Sequence, residues 1–217
     1  MKNFKTVSLA DQVFEKLEQD IITGVYTRGE ILTELRLVEQ LGVSRTPIRE
    51  ALRRLEQERL IRETGKGSLV LGITVEDLID IMEIRQRIEG LAALYATKNM
   101  TPERLVELER ISQLQDFYYE KQDHERLRQM DDQFHDTIYE LSGSVVFCDT
   151  LRPLHKKTQR YRKLSVGDSD RLSASIEEHK GIFKAISEGK GELAASLITA
   201  HIEKAKAYMI GRFLNDG

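Results

Sequence analysis

The stretch ILTELRLVEQLGVSRTPIREALRRLEQERLIRETGKGSLV, residues 31–70, decides how the first part of this chain folds. Leu37, Val38 and Leu41 give Glu34–Leu41 one apolar side, and Gly42 supplies a turn. Ser44 is a suitable N-cap for a second helix over Arg45–Glu58, in which Ile48, Ala51, Leu52 and Leu55 recur at i, i+3, i+4 and i+7. Two short apolar runs, Leu60–Glu63 and Ser68–Leu71, flank Thr64-Gly65-Lys66-Gly67 and predict two strands around a Gly-rich tip. A further helix is expected over 9–23, with Val13, Leu17 and Ile21 on one side and Gly24 ending it. Three helices and a hairpin wing make a winged helix-turn-helix over residues 1–72. Arg45, Arg49 and Arg53 fall four residues apart and so form one basic ridge on the second helix of the pair. A helix that buries one side and presents arginines and hydroxyls near its N-terminus suits the DNA major groove.

Charge supports that reading only locally. Residues 1–72 carry 12 Lys/Arg against 11 Asp/Glu, so the module is not strongly basic as a whole. Between Val43 and Lys66, however, seven Lys/Arg stand against four Glu, which concentrates positive charge where phosphates would be met. The single cysteine, Cys148, excludes an internal disulfide framework and any Cys-rich zinc site. The N-terminal MKNFKTVSLADQVF lacks the apolar core of a signal peptide, and no run approaches a membrane span, so a cytoplasmic protein without membrane contact is expected.

From Gly72-Ile73-Thr74 onward the pattern is helical throughout. Helices are predicted at about 75–98, 102–121, 124–142, 145–164, 170–188 and 191–213, punctuated by Thr101-Pro102, Ser142-Gly143, Gly167-Asp168 and Gly189-Lys190-Gly191. The expected fold is therefore mainly α: an N-terminal winged helix-turn-helix, then an all-helical antiparallel bundle over 73–217.

Several polar side chains intrude on the apolar stripes of that bundle. Asp131 and His135, spaced i, i+4, border the stripe of Leu127, Met130, Phe134, Ile138 and Leu141. His179 lies within the stripe of Leu172, Ile176, Phe183 and Ile186, and His201 within that of Ala194, Leu197, Ala205 and Tyr208. Burying these groups is costly unless each finds a partner. A histidine alone could bond a backbone carbonyl. The set of three imidazoles and a carboxylate could instead hold a divalent metal with positions left for water or an anion. His124, near a helix start, is expected in solvent, and His155 borders its stripe without a clear assignment. Arg85 lies on the stripe of Leu78, Ile81, Met82, Ala92 and Ala96, one turn before Glu89. It either pairs with Glu89 or meets the carboxylate of a small ligand by a bidentate contact. Arg162, on the inward edge of its helix, could contribute to the same contact.

LGVSRTPIREALRRLEQERLI (41–61) resembles the signature of the GntR family of bacterial transcription regulators. DDQFHDTIYELSG (131–143) and EEHKGIFKAISEGKGELAASLITAHI (177–202) resemble the helical ligand-binding domain of that family's FadR group, the FCD type. The resemblance implies a homodimer that binds a palindromic double-stranded DNA operator, with DNA contacts from Ser44, Arg45, Thr46 and Arg49 and, in the wing, Gly65 and Lys66. It implies a divalent metal (zinc, nickel or manganese) on Asp131, His135, His179 and His201, and a small carboxylate effector that reaches it. One position departs from the pattern: many relatives have a DNA-contacting arginine where this chain has Leu35. Arg36, about 100° further around the helix, either reaches a phosphate from there or leaves the contact missing. The expected function is transcriptional regulation, as a repressor, and not enzymatic catalysis. Two other readings stay open: a sensor in which the ion itself is the signal, and a helical metalloenzyme that activates water.

Overall fold

The computed structural model describes residues 7–163 and 168–216, with side chains over 7–162 and 168–212. It divides into two compact units, residues 1–74 and 75–217, each with its own core. Among the described residues no helix is long and apolar enough to cross a membrane.

The first unit is built from α1 (Leu9–Thr23), β1 (Ile31–Leu32), α2 (Glu34–Leu41), α3 (Arg45–Gln57), β2 (Ile61–Thr64) and β3 (Gly67–Val70). A reciprocal cap starts α1: the Asp11 amide donates to Ser8 Oγ (3.0 Å) and the Ser8 amide to the Asp11 carboxylate (3.2 Å). Between α2 and α3, Gly42 takes φ +66°, a left-handed conformation that a side chain would disfavour. Leu17, Ile21, Leu37, Ile48, Leu55, Leu60 and Val70 close the core over both helices of the pair. The hairpin pairs Thr64 with Gly67, so its tip is the two-residue turn Gly65-Lys66, tighter than the four-residue tip expected. A third strand, β1, was not visible in the sequence. It pairs with β3 antiparallel, Ile31 with Leu69 and Leu32 with Ser68, in the order β1-β3-β2. That pairing needs Gly67, because a Cβ there would lie 2.7 Å from the Leu32 carbonyl oxygen.

The second unit contains α4 (Val75–Lys98), α5 (Pro102–Glu120), α6 (His124–Leu141), α7 (Val145–Lys157), α8 (Gln159–Lys163), α9 (Ser169–Ser187) and α10 (Gly191–Asp216). Helix α4 packs along α10 and also meets α6 and α7, while α5 lies against α6 and α9. Ala92, Ala96, Leu108, Ile111, Phe134, Ile138, Ile182 and Ile198 form the shared core. The single helix expected over 145–164 is two. Thr158, fully buried, directs both its amide (3.1 Å) and its hydroxyl (2.7 Å) to the carbonyl of His155. That closes a tight three-residue turn in place of the next α-helical bond, and α8 starts after it at Gln159.

Candidate functional site

Two constellations carry the polar residues singled out above, one in each unit. In the first unit, Ser44, Arg45, Thr46, Arg49 and Arg53 of the α3 region are all exposed, as are Gly65 and Lys66 at the wing tip. Ser44 occupies the N-cap position of α3 without making the side-chain capping bond, so its hydroxyl does not close the helix end. Arg49 is not free: its Nε donates to Glu34 Oε1 at 2.7 Å, joining α3 to the start of α2. This bond depresses the Glu34 carboxyl below its ordinary pKa and raises that of Arg49. Arg36 is drawn into its own unit, its Nη1 donating to Glu30 Oε1 (2.7 Å) and its guanidinium lying 5.6 Å from the Tyr26 ring centre. Leu35 is 57% exposed.

In the second unit, His135 on α6, His179 on α9 and His201 on α10 are buried, and one ring nitrogen of each lies within 4.8 Å of the others. His179 Nε2 and His201 Nε2 are 3.3 Å apart, and Phe134 stacks on the His179 ring at 4.3 Å between centres. Each Nδ1 meets a side chain behind it. His135 Nδ1 is 2.9 Å from Glu89 Oε2, His201 Nδ1 is 2.7 Å from Glu178 Oε2, and His179 Nδ1 lies 2.9 and 3.2 Å from the Gln115 carboxamide Nε2 and Oε1. A carboxylate only accepts, so Glu89 and Glu178 fix the proton of His135 and His201 on Nδ1 and leave Nε2 with its lone pair. The Gln115 carboxamide can serve either tautomer of His179 by presenting its oxygen or its nitrogen. Outer partners of this kind are what orient metal-binding imidazoles. Sequence reasoning missed Gln115 and Glu178. Gln115 carried a usable signal, since it intrudes four residues after Ile111 on the buried side of α5; Glu178 carried none beyond its place next to His179.

Asp131 lies at the edge of this group. Its Oδ1 is 3.8 Å from His179 Nε2, while Oδ2 accepts from Arg162 Nη1. The other terminal nitrogen of Arg162 donates to Asp132 Oδ1 at 2.6 Å, so the guanidinium forks onto two neighbouring carboxylates. His155 joins them, with Nε2 2.9 Å from Asp132 Oδ1 and a buried Nδ1 that has no hydrogen-bond partner among the described residues. His124, expected in solvent, is half-buried: it lines the cavity described below, and its Nδ1 is enclosed without a partner among the described residues. Arg85 and Glu89 are both buried and bonded at 2.6 Å (Nε to Oε1), so the Arg85–Glu89 pair exists and continues through Glu89 to His135.

The electrostatics follow from burial and pairing. Burial opposes ionisation of Glu89, but Arg85 and His135 outweigh it and hold the carboxyl well below its ordinary pKa. Burial likewise works against the Asp131 charge, and Arg162 with the surrounding histidines reverses the balance. Glu178 is brought to about 2 against its burial by hydrogen bonds from His201 and Arg171. Burial pushes His155 and His179 well below the ordinary histidine value, and His201 below it despite Glu178. His179 and His201 are therefore mainly neutral near pH 7, as metal ligands must be, and so is His155 beside them. A cavity of about 90 Å³ lies among these groups. Its lining includes Arg85, Asp131, Arg162 and the histidines and, among apolar residues, Leu127, Leu172, Ile176, Ile202 and Met209. The donor set of three imidazoles with a neighbouring carboxylate fits zinc, nickel or manganese by its chemistry. The second trio in reach, Glu89, His135 and His155, fits poorly, because both Glu89 oxygens are already bonded to Arg85 and His135.

Comparison with known proteins matches each unit to a protein family. The model of the bacterial regulatory proteins of the gntR family matches residues 9–70, and that of the FCD domain matches residues 80–204. The chain is 32% identical over 177 residues to the Nta operon transcriptional regulator of Aminobacter aminovorans, covering 81% of this chain and 82% of that one. It is 26% identical over 200 residues to the HTH-type transcriptional repressor RspR of Escherichia coli (strain K12), covering 92% and 88%. Among solved structures, E. coli McbR/YncC superposes with a TM-score of 0.81 at 25% identity, covering 96% of this chain and all (100%) of that one.

Proposed function

The chain belongs to the GntR family of bacterial regulatory proteins, with an FCD domain as its second part, and from that premise we propose a transcriptional repressor whose operator affinity is set by a small organic acid bound at a metal ion in the helical unit. The observation that carries the effector half is the convergence of His135, His179 and His201, each with Nδ1 held from behind so that Nε2 faces its neighbours. Asp131 supplies the fourth ligand. The metal, when bound, would supply a positive centre for a carboxylate, and the guanidiniums of Arg162 and Arg85, which also line the cavity, could donate to the same group. The apolar lining residues Leu127, Leu172, Ile176, Ile202 and Met209 suit the carbon skeleton of the acid.

The DNA half rests on the exposed face of α3. In a homodimer, two copies of α3 enter successive major grooves of a palindromic operator. Ser44 and Thr46 hold phosphates, Arg45 and Arg49 face base edges, and Gly65 and Lys66 bring the wing to the backbone. Arg36, tied to Glu30 and Tyr26, serves the fold, and the contact made by an arginine at the position of Leu35 in many relatives is missing here. Acid binding changes operator affinity by as much as it distinguishes two states of the dimer.

Metal analysis of the purified chain, followed by operator titration with zinc and with candidate acids, tests the reading. We expect bound metal in the wild type, its loss in His179→Ala and His201→Ala, and an operator affinity that changes on adding acid only to metal-loaded protein. Metal content unchanged in both variants would mark these as satisfied core histidines. A response to metal with none to any acid would favour the ion itself as signal.

A further inference from the structure

We propose that Glu34 is a positioning residue for DNA recognition, which by accepting the Nε–H of Arg49 holds the outer edge of that guanidinium as a two-donor fork facing a guanine in the major groove. The inference rests on the DNA-binding reading of α3. A guanidinium can donate in pairs from its end, Nη1 and Nη2, or from its side, through Nε and one Nη. Glu34 Oε1, 2.7 Å from Nε, occupies the side and leaves the end. The end matches guanine, which presents N7 and O6 together as acceptors. The Arg49 side chain is 64% exposed, so its terminal nitrogens are open to a partner.

Stability does not account for this pair. An exposed ion pair contributes little to folding, and this one lies where the module must meet phosphates, so its carboxylate weakens indiscriminate attraction to DNA. What the pair does supply is geometry. The rotamer freedom of a long side chain is lost before DNA arrives instead of on docking, and the fork is aimed from two helices at once, since Glu34 opens α2 and Arg49 lies in α3. Arg45, one turn earlier on the same ridge, makes no ion pair among the described residues and has no such support. Glu34 therefore gives up general affinity for preference, and removing it moves the two in opposite directions.

The test uses the full chain. Sites are enriched by the wild type from a duplex pool with a randomised centre. The enriched duplex and a scrambled duplex of equal length are then titrated at one fixed salt concentration with wild type, R49A, E34A and E34Q. We expect R49A to lower the ratio of the two affinities about tenfold or more, the size of one bidentate base contact. E34A lowers that ratio to a similar extent while binding the scrambled duplex at least as tightly as wild type. E34Q, whose carboxamide oxygen still accepts from Nε, keeps more of the ratio than E34A. A wild-type ratio in E34A overturns the inference and leaves the reading of α3 standing. A parallel loss on both duplexes also overturns it, as the mark of damaged packing. A wild-type ratio in R49A, or a wild type that enriches no sequence, overturns the underlying assignment of α3 itself.

Discussion

At the scale of single residues, the histidine cluster is governed by the atoms behind it. Glu178 is half-buried, accepts from His201 Nδ1 at 2.7 Å and is also held by Arg171. It is thus the group that keeps His201 Nε2 unprotonated and its ring in place. Glu178→Ala is expected to lower zinc affinity about 10- to 100-fold, the usual cost of losing an outer partner, as read by competition with a coloured chelator. Unaltered affinity would mean that His201 is oriented by its packing alone. The inner residues were legible in the sequence because charged or aromatic nitrogen groups on an apolar stripe are hard to explain otherwise. The outer ones were not, for different reasons. Gln115 is neutral and can sit on a buried face without drawing attention, whereas Glu178 and Asp132 lie off their stripes and gain meaning only when another helix approaches. The fate of Arg36 was also hidden, since its partner Glu30 comes from a loop that no periodicity places.

At the scale of elements, long periodic helices were legible and short interruptions were not. The period-3.6 stripes marked α1, α3, α4, α5, α6, α9 and α10 to within a few residues. Strand β1 has two residues and no period to show, and it exists because Gly67 lets the Leu32 backbone come close. The break between α7 and α8 was equally invisible, for Thr158 reads as an ordinary helical residue until its hydroxyl is seen on the His155 carbonyl. The break matters because α8 carries Arg162 to the carboxylates of α6. Thr158→Val preserves the shape and removes that hydrogen bond. It is expected to destabilise the helical unit by about 1 kcal/mol in urea unfolding. Equal stability would show that the turn is set by the tertiary contacts of α8 and not by the hydroxyl.

At the scale of the whole molecule, two cores share one chain, and only the second is loaded with buried neutral imidazoles. Folded His155, His179 and His201 have pKa values below the ordinary value of about 6.5, so below that pH the unfolded chain binds protons that the folded chain refuses. Stability is complete above about pH 7 and falls as pH drops through 6.5, by up to about 1.4 kcal/mol per pH unit for each such histidine. Glu178, with its pKa near 2, adds a loss of the same sign as pH falls below about 4.5. In metal-free protein, thermal melts at pH 7.5 and 5.5 should therefore show the helical unit melting earlier at the lower pH. A transition that does not move would mean that the histidines take up protons alike in the folded and unfolded chain. One feature bears on how the protein would respond to changing ion supply. The Arg162 fork on Asp131 and Asp132 already balances the negative side of the site. An ion bound through Asp131, as proposed above, would therefore displace a resident cation and not fill bare carboxylates. The net gain in charge would be smaller, and the apparent affinity lower, than the ligand set alone would give. Occupancy tempered in this way would be reversible, where an untempered site would hold the first ion it met.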